Sequence, residues 1–95
     1  MKKPDKPLAW NAEKNEFLLK ERGISFEQIA LSLNTGNFVT SYPHPRFAHQ
    51  KIFEVEINGY IVVVPYVEDE DKIFLKTAFY SRKANKKRRG NNYAN

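Results

Sequence analysis

The sequence contains no cysteine, which excludes a disulfide framework and any metal site built from thiolates. It also lacks a long apolar run, and nothing approaches the roughly 20 consecutive residues that a transmembrane helix needs. The opening stretch "MKKPDKPLAW" is charged but has no hydrophobic segment behind it, so it lacks the pattern of a signal peptide. These absences are what we expect of a cytoplasmic protein with no membrane segment.

The chain is short, and its 95 residues predict a single domain because two separate cores would be too small to be stable. A hydrophobic content of 41% with 14% aromatic residues is typical of a globular protein and not of a disordered one. We expect the domain to span residues 1–95, with frayed ends at residues 1–7 and 90–95.

Positive charge predominates, with a formal net charge of +5 and a sequence pI of about 9.5. Six of the nine residues from Ser81 to Arg89 are cationic, which alone exceeds the net surplus, so the rest of the chain is close to neutral. A surplus of this kind favours an anionic partner, nucleic acid above all. The plainer alternative is a solvated basic tail.

Two helices are predicted before the first strand. In "AWNAEKNEFLLKERG", Asn11 is a suitable N-cap and Gly23 is placed to end the helix. In "ISFEQIALSLN", Ser25 and Gln28 form a capping box ahead of an apolar stripe with helical spacing. The residues expected to face the core are Phe17 and Leu18 in the first helix and Phe26, Ile29, Ala30 and Leu33 in the second.

The hydrophobic period changes after "NTG", where strands begin. "KIFEVEI" alternates apolar and acidic positions, and the Asn58-Gly59 pair after it predicts a two-residue hairpin turn leading into "YIVVVPYV". Pro65 cannot donate to a ladder, so we expect it at a bulge or beside an unpaired edge. The other strands are "NFVTSY" and "KIFLKTAFY", after which Ser81 is expected to cap a helix. The predicted fold class is α+β, with two N-terminal helices, an antiparallel sheet of about four strands and a short C-terminal helix.

Short motifs follow one another along this chain in a definite order. "WNAEK" precedes "KERGISFE", which places Trp10, Lys14, Gly23 and the run Ile24–Glu27 at fixed distances. "PHPRFAHQKIF", "YIVVVPYV" and "KTAFYSRKA" come next. In this order and spacing the chain, over residues 9–87, resembles BrnT-type toxins.

The sequence departs from that family's pattern at three places. Leu18 stands where the family has an asparagine, and Arg22 stands where it has a histidine before the glycine. The C-terminal motif reads Tyr80-Ser81-Arg82 in place of an alanine-arginine pair, with Ser-Arg retained. These differences bear on which residues are catalytic.

The resemblance implies a RelE-like fold and a small endoribonuclease of a type II toxin–antitoxin pair. Such a toxin cleaves mRNA, inhibits translation and needs neither a metal nor another cofactor. The resemblance also implies a cognate antitoxin that neutralises the toxin, often through a protein with a ribbon-helix-helix DNA-binding part. DNA is then contacted only through the complex, and RNA is met free or on the ribosome.

RNA cleavage without a metal needs a base for the ribose 2′-OH, a cation beside the pentavalent phosphate and an acid for the 5′-oxygen. It leaves a 2′,3′-cyclic phosphate. Histidine carries protons near neutral pH, and both histidines lie in "YPHPRFAHQK". The strongest candidate is Arg82, because a guanidinium can hold phosphate through two hydrogen bonds. The candidate catalytic residues are His44, His49, Lys51, Lys76 and Arg82.

These candidates form a loop group, from His44 to Lys51, and a C-terminal group around Lys76 and Arg82. We expect an antiparallel meander to bring the two groups together as the walls of one cleft. Structural alternatives stay open: the histidines could form a zinc pair or bond to their own loop. Lys51 could protect a sheet edge, and Lys76 could simply be solvated.

General attraction to RNA is expected from the remaining cations, and it should weaken with salt. Tyrosines can stack on unpaired bases, although core packing is their more common use. The RNA-binding candidates are Arg46, Lys83, Lys86, Lys87, Arg88, Arg89 and Tyr80, with Tyr60 and Tyr66 as further stacking residues.

Two other functions fit the same residues. One is a basic nucleic-acid-binding module without catalysis, in which the cations only contact phosphates. The other is a decayed toxin that binds its antitoxin and represses their shared promoter. Substitution of Arg82 or Lys51 distinguishes an enzyme from a binding module if cleavage is lost while RNA affinity stays nearly intact.

Overall fold

The structure is a computed structural model that describes residues 4–36, 38–83 and 85. Its helices and strands confirm the predicted α+β class. No helix in these ranges is long and apolar enough to cross a membrane. The elements in chain order are β1 (Leu8–Trp10), α1 (Ala12–Arg22), α2 (Phe26–Asn34), β2 (Phe38–Pro43), β3 (Lys51–Ile57), β4 (Tyr60–Glu68), β5 (Ile73–Leu75) and β6 (Phe79–Tyr80).

The strands form one mixed sheet in the order β1-β5-β4-β3-β2, with β6 paired to β4. The expectation of about four antiparallel strands is wrong in two respects. First, β1 forms a short strand that pairs in parallel with β5. Second, the single strand expected in "KIFLKTAFY" is divided into β5 and β6, which pair with different parts of β4.

Pro65 explains why that last strand is divided. On one side of β4, Pro65 lies opposite Ile52 of β3 in an unbroken ladder. On the other side, β5 pairs with Tyr66–Glu68 and β6 with Val62–Val63, so Pro65 falls between them. Its carbonyl accepts a hydrogen bond from the Lys76 backbone N–H at 2.8 Å, but it has no N–H to offer in return. The expected position beside an unpaired edge is confirmed.

Both helices begin and end as their capping residues predict. The Asn11 side chain accepts a hydrogen bond from the Lys14 backbone N–H, and Gly23 ends α1 in the left-handed conformation at φ 68°. Ser25 and Gln28 form the reciprocal capping box at the start of α2.

Asn15 joins the two helices where the chain turns between them. Its Oδ1 accepts a hydrogen bond from the Phe26 backbone N–H at 2.7 Å, and its Nδ2 donates to Glu27 at the same distance. The bond from Asn15 lowers the pKa of Glu27. The Phe26 ring also stacks on Trp10, with the ring centroids 5.7 Å apart. These contacts hold the helix pair in one orientation against the sheet.

The core lies between the helix pair and one face of the sheet. Phe53 and Val55 of β3 are buried on this face, as their alternation with acidic residues predicts. Phe17 was expected to face the core with Leu18, but it is 47% exposed and its ring contacts Lys14 and Arg22 instead. The core residues are Leu18, Ile24, Phe26, Ile29, Leu33, Phe38, Phe53, Val55, Val62, Val64, Tyr66, Ile73, Leu75 and Ala78.

The sheet has two ends that differ in chemistry. We call the end with the β3–β4 turn the hairpin end; there Asn58 and Gly59 have φ of 53° and 84°, as a two-residue turn requires. We call the opposite end the loop end; it holds residues 43–51 between β2 and β3 and the turn from β4 to β5. The candidate residues divide between these two ends.

The chain termini are described only in part. Residues 4–7, within the stretch predicted to be frayed, contact the loop end: the Pro7 carbonyl accepts a hydrogen bond from the Ile73 N–H at 2.9 Å. Residues 1–3 and 90–95 lie outside the described residues. The predicted C-terminal helix is not confirmed, because most of its residues lie outside the described ones; a single turn is seen, in which the Asn85 N–H donates to the Ser81 carbonyl at 3.0 Å.

Candidate nucleic-acid interface

His44 is held by its own loop. Its Nδ1 accepts hydrogen bonds from the backbone N–H groups of Arg46 at 3.0 Å and Phe47 at 3.3 Å, and its ring contacts the Phe47 ring. Its backbone N–H donates to the Gln50 carbonyl, which closes the loop. Of the alternatives considered for His44, the structure therefore shows the one in which it is a turn residue.

The loop end contains an open cleft of about 400 Å³ in which opposite charges are mixed. Lys6 donates to the Glu68 carboxylate and to the Asp69 carbonyl, each at 2.8 Å, and Lys51 lies 3.7 Å from the same carboxylate. The hydrogen bond to Glu68 raises the pKa of Lys6. The residues that line the cleft are Lys6, His49, Lys51, Glu68, Asp69 and Glu70. Its three carboxylates offset its two lysines, so the cleft has little excess positive charge for a phosphate.

Lys51 does not lie on a sheet edge, so the edge-protecting alternative for this residue is wrong. It begins β3, an internal strand, opposite Pro43 of β2 and Tyr66 of β4. Lys76 directly follows β5, and its Nζ lies 5.7 Å from the centroid of the Phe74 ring. Because Phe74 alternates with the core residues Ile73 and Leu75, Lys76 lies on the face of the sheet away from the helices.

The hairpin end presents a pair of exposed tyrosines. Tyr60 opens β4 and Tyr80 ends β6, and they are 48% and 42% exposed. Their rings meet edge to face with centroids 5.8 Å apart. The ladder positions them, because Tyr80 lies opposite Val62, two residues beyond Tyr60. Two large aromatic rings left accessible side by side form a surface on which an unpaired base can stack.

Two exposed cations follow the tyrosine pair directly. The Ser81 backbone N–H donates to the Ile61 carbonyl at 2.9 Å, which fixes the chain beside β4, and Arg82 and Lys83 come next. On the neighbouring helix, Arg22 donates to the Ala78 carbonyl at 2.7 Å and its guanidinium lies 5.9 Å from the Phe17 ring. Arg22 therefore lies beside the residue that precedes β6 by one position, with the Phe17 ring next to it.

The structure does not bring the loop group together with Arg82. Lys76, the other member of the C-terminal group, donates its backbone N–H to Pro65, which precedes Tyr66, the partner of Lys51. Lys51 lies opposite Tyr66, whereas the segment leading to Arg82 bonds to Ile61, five residues away along β4. Five residues of strand correspond to about 17 Å. The expectation that the loop and Arg82 form two walls of one cleft is wrong, because the loop lies at one end of β4 and Arg82 at the other.

The structure places three further candidates, and four lie outside the described residues. Arg46 is exposed in the loop, and His49 is exposed in the cleft. Tyr66 is not available for stacking on a base, because it is 3% exposed, stacks on Phe53 at 3.9 Å and hydrogen bonds to Ser41. The remaining four candidates, Lys86, Lys87, Arg88 and Arg89, lie outside the described residues.

Asn85 and Glu68 were not predicted to be important. Asn85 is only 8% exposed, and its carboxamide bonds twice to the backbone of Ile61. The sequence alone does not predict that Asn85 is buried against Ile61. The only local signal is that a neutral asparagine interrupts a run of cations. Glu68 is one of several acidic residues around a turn, and only the fold shows that it pairs with two lysines.

No three histidine, aspartate or glutamate side chains in the described part of the chain are grouped so that they could hold a metal ion. At the hairpin end, the exposed Glu56 carboxylate lies opposite Ile61. The other exposed groups described there include aromatic rings, a guanidinium and an ammonium group. These are the groups that proteins use on single-stranded nucleic acids, rings for bases and cations for phosphates.

The chain is a small α+β protein with exposed tyrosines and cations at one end of a mixed sheet. Residues 17–80 match the protein family described as "Domain of unknown function (DUF4258)". The match covers more than half of the chain, and the chain belongs to this family. It includes both exposed tyrosines and ends before Arg82. A search of curated proteins and a search of solved structures returned no match.

Proposed function

We propose that this protein acts on single-stranded RNA as a BrnT-type toxin, an endoribonuclease that a cognate antitoxin neutralises. The observation that carries the proposal is the exposed Tyr60–Tyr80 pair, followed directly by Arg82 and Lys83 at the hairpin end. The order of motifs along the chain supports the family to which we assign the activity.

RNA suits this surface for two reasons. Stacking on a tyrosine requires an accessible base, which single-stranded RNA offers and a duplex does not. The Arg82 guanidinium can then contact the phosphate beside a stacked base through two hydrogen bonds. In a cleavage reaction the same guanidinium would stabilise the charge that develops on the pentavalent phosphate.

A binding module without catalysis is the second candidate, and one observation favours it. The histidines, which were the expected proton carriers, lie at the loop end, about 17 Å from the hairpin end along β4. In addition, the Nδ1 of His44 already accepts two hydrogen bonds from its own loop. Catalysis at the hairpin end would need another base, and the exposed carboxylate of Glu56, which lies opposite Ile61, is one group at this end that could accept a proton.

The experiment that tests the proposal measures cleavage and binding on the same RNA. Wild type, Arg82→Ala and Lys51→Ala are incubated with a defined single-stranded RNA in EDTA, free and with ribosomes. The same RNA with 2′-O-methyl groups cannot be cleaved through its 2′-oxygen and serves for affinity measurements.

We expect wild type to cleave and leave a cyclic phosphate, Arg82→Ala to lose cleavage, and Lys51→Ala to retain it. Binding without cleavage by folded wild type would replace the toxin with the binding module. Loss of cleavage in Lys51→Ala alone would move the site to the loop end. Failure to bind any of these RNAs would reject both candidates.

A further inference from the structure

Arg22 is the last residue of α1, and two contacts hold its guanidinium in place. One N–H donates to the Ala78 carbonyl at 2.7 Å, and the guanidinium carbon lies 5.9 Å from the centroid of the Phe17 ring. Arg22 is nevertheless exposed, and none of the ion pairs among the described residues involves it. Because a guanidinium carries several N–H donors, the bond to Ala78 leaves others for a further acceptor.

The exposed tyrosine pair lies on the face of the sheet that the helices cover. Side chains alternate along a strand, so Tyr60 shares the face of the core residue Val62, two positions further along β4. Tyr80 lies directly opposite Val62, and residues that lie opposite one another in a ladder share a face. Ala78, whose carbonyl holds Arg22, belongs to the same core. The guanidinium and the two rings therefore lie on one side of the sheet.

Along the chain, Tyr80 lies midway between two positions that carry a guanidinium. Ala78, which holds Arg22, comes two residues before Tyr80, and Arg82 comes two residues after it. Two residues of extended chain span at most about 7 Å, so both positions lie close to Tyr80. A nucleotide within a strand likewise has a phosphate on each side of its base.

We propose that Arg22 is a second phosphate-binding residue of the RNA surface. It binds the phosphate on one side of the base that stacks on Tyr80, and Arg82 binds the phosphate on the other side. The inference rests on the proposed RNA-binding function and deepens it, because it sets the ligand as a nucleotide with a phosphate on both sides. Ala78 and Phe17 already hold the guanidinium, so little side-chain freedom is lost when phosphate binds.

The expected size of the effect follows from counterion release. For single-stranded nucleic acids, the logarithm of affinity falls with the logarithm of salt concentration by about 0.7 for each phosphate contact. Loss of one contact should reduce the slope by that amount and weaken binding about fourfold at about 0.15 M salt. If Arg22 only held Ala78, and through it Tyr80, its loss would weaken binding and leave the slope unchanged.

The test measures the affinity of the full-length protein for a short single-stranded 2′-O-methyl RNA by fluorescence anisotropy, over a series of salt concentrations. Arg22→Gln removes the charge but keeps an N–H donor for Ala78. Lys20→Gln is the matched control, because Lys20 is also exposed on α1 and lies about 200° around the helix from Arg22.

We expect Arg22→Gln to bind about fourfold more weakly at about 0.15 M salt, with a slope smaller by about 0.7. Lys20→Gln should stay within about twofold of wild type and keep its slope. Equal effects in the two variants, or weaker binding of Arg22→Gln with an unchanged slope, would overturn the inference.

A second measurement uses wild type alone, in case Arg22→Gln fails to fold. An RNA with one base between abasic nucleotides fixes which nucleotide stacks, and a neutral methylphosphonate then replaces the phosphate on either side of it. Each replacement should weaken binding about fourfold. An effect at only one of the two phosphates would overturn the inference and leave the proposed function standing. Absence of RNA binding by wild type would overturn the proposed function and the inference with it.

Discussion

The loop end and the hairpin end of the sheet both carry lysine or arginine next to aromatic residues, but the contacts of these cations differ. At the loop end, Lys6 and Lys51 share one carboxylate, and His44 accepts two backbone hydrogen bonds. At the hairpin end, Arg82 and Lys83 are exposed beside two tyrosines whose rings are nearly half accessible.

The difference shows that a charged residue type does not identify a site by itself. A cation whose charge is already paired must give up that pairing before it can bind phosphate, whereas an exposed unpaired cation gives up only water. Sequence placed three of five catalytic candidates in the loop, where contacts within the protein occupy His44 and Lys51. The hairpin end is the better place to look for an RNA partner.

The largest effect that can test this comparison is on base stacking. Tyr80→Ala removes an exposed ring at the hairpin end, and we expect RNA affinity to fall by about 1–3 kcal/mol per stacked base, roughly 5- to 150-fold. Fluorescence anisotropy with a short single-stranded RNA measures the change. Tyr80→Phe keeps the ring and should bind nearly as well as wild type.

Phe47→Ala is the matched control, because Phe47 is the exposed ring of the loop end, at 55% exposure. It should leave RNA affinity within about twofold of wild type, since no stacked base is lost. If Phe47→Ala weakened binding as much as Tyr80→Ala, both ends would contribute equally to RNA binding. That result would contradict the proposal that RNA binds at the hairpin end.

The sequence predicted local features well because each depends on neighbouring residues. Asn11, Gly23 and the Ser25–Gln28 capping box mark the helix ends, and Asn58-Gly59 marks the hairpin turn. The parallel pairing of β1 with β5 joins residues more than sixty positions apart, so no local sequence pattern predicts it. The sequence predicted frayed residues 1–7 and no strand between them and the first helix, so β1 at Leu8–Trp10 was missed.

The site was predicted less well, because its geometry depends on the register of the sheet. The sequence showed that Pro65 does not fit the interior of a strand, but it did not show the consequence. The last strand is divided at Pro65, and its second part, β6, places Tyr80 and Arg82 at the hairpin end. The two hydrogen bonds of the Asn85 side chain to the Ile61 backbone likewise depend on where the sheet places Ile61. Residue types suggested the chemistry, and the strand pairings decided which of them meet.

The second prediction concerns pH and the loop end. Burial, followed by the 2.6 Å hydrogen bond to Glu54 and the charge of that carboxylate, raises the pKa of Tyr42 to about 12. The folded pKa lies above the ordinary value of 10.0, so this stabilisation is complete below pH 10 and is lost as pH rises to about 12. Because the phenol is only partly buried, solvent screens this contact and the loss should stay within about 1 kcal/mol.

Denaturant unfolding at a series of pH values from 9 to 12 measures this effect as the difference between wild type and Tyr42→Phe. The difference should shrink through that window, because the variant has no phenol to ionise at this position. Glu54→Gln keeps the phenol but removes its charged acceptor, and it should show a smaller pH dependence than wild type. Parallel curves for wild type and Tyr42→Phe would show that the Tyr42–Glu54 contact contributes no pH-dependent stability.

The smallest effect is expected where the loop end is made more positive. Glu68→Gln removes the carboxylate shared by Lys6 and Lys51 and so leaves both ammonium groups without this ion pair, although Lys6 keeps its hydrogen bond to the Asp69 carbonyl. If RNA binds at the hairpin end, about 17 Å away, these charges lie beyond the Debye length of about 8 Å at physiological ionic strength. RNA affinity should then rise by less than about twofold.

Glu13→Gln, in the first turn of α1, changes the net charge equally without releasing those lysines and is the matched control. Equal small gains in the two variants would mean that RNA senses only the net charge of the protein. A gain in Glu68→Gln many times that of Glu13→Gln would mean that the ion pairs cover a phosphate site. His49 and Lys51 would then again be candidates for the catalytic site, since they line the same cleft as Glu68.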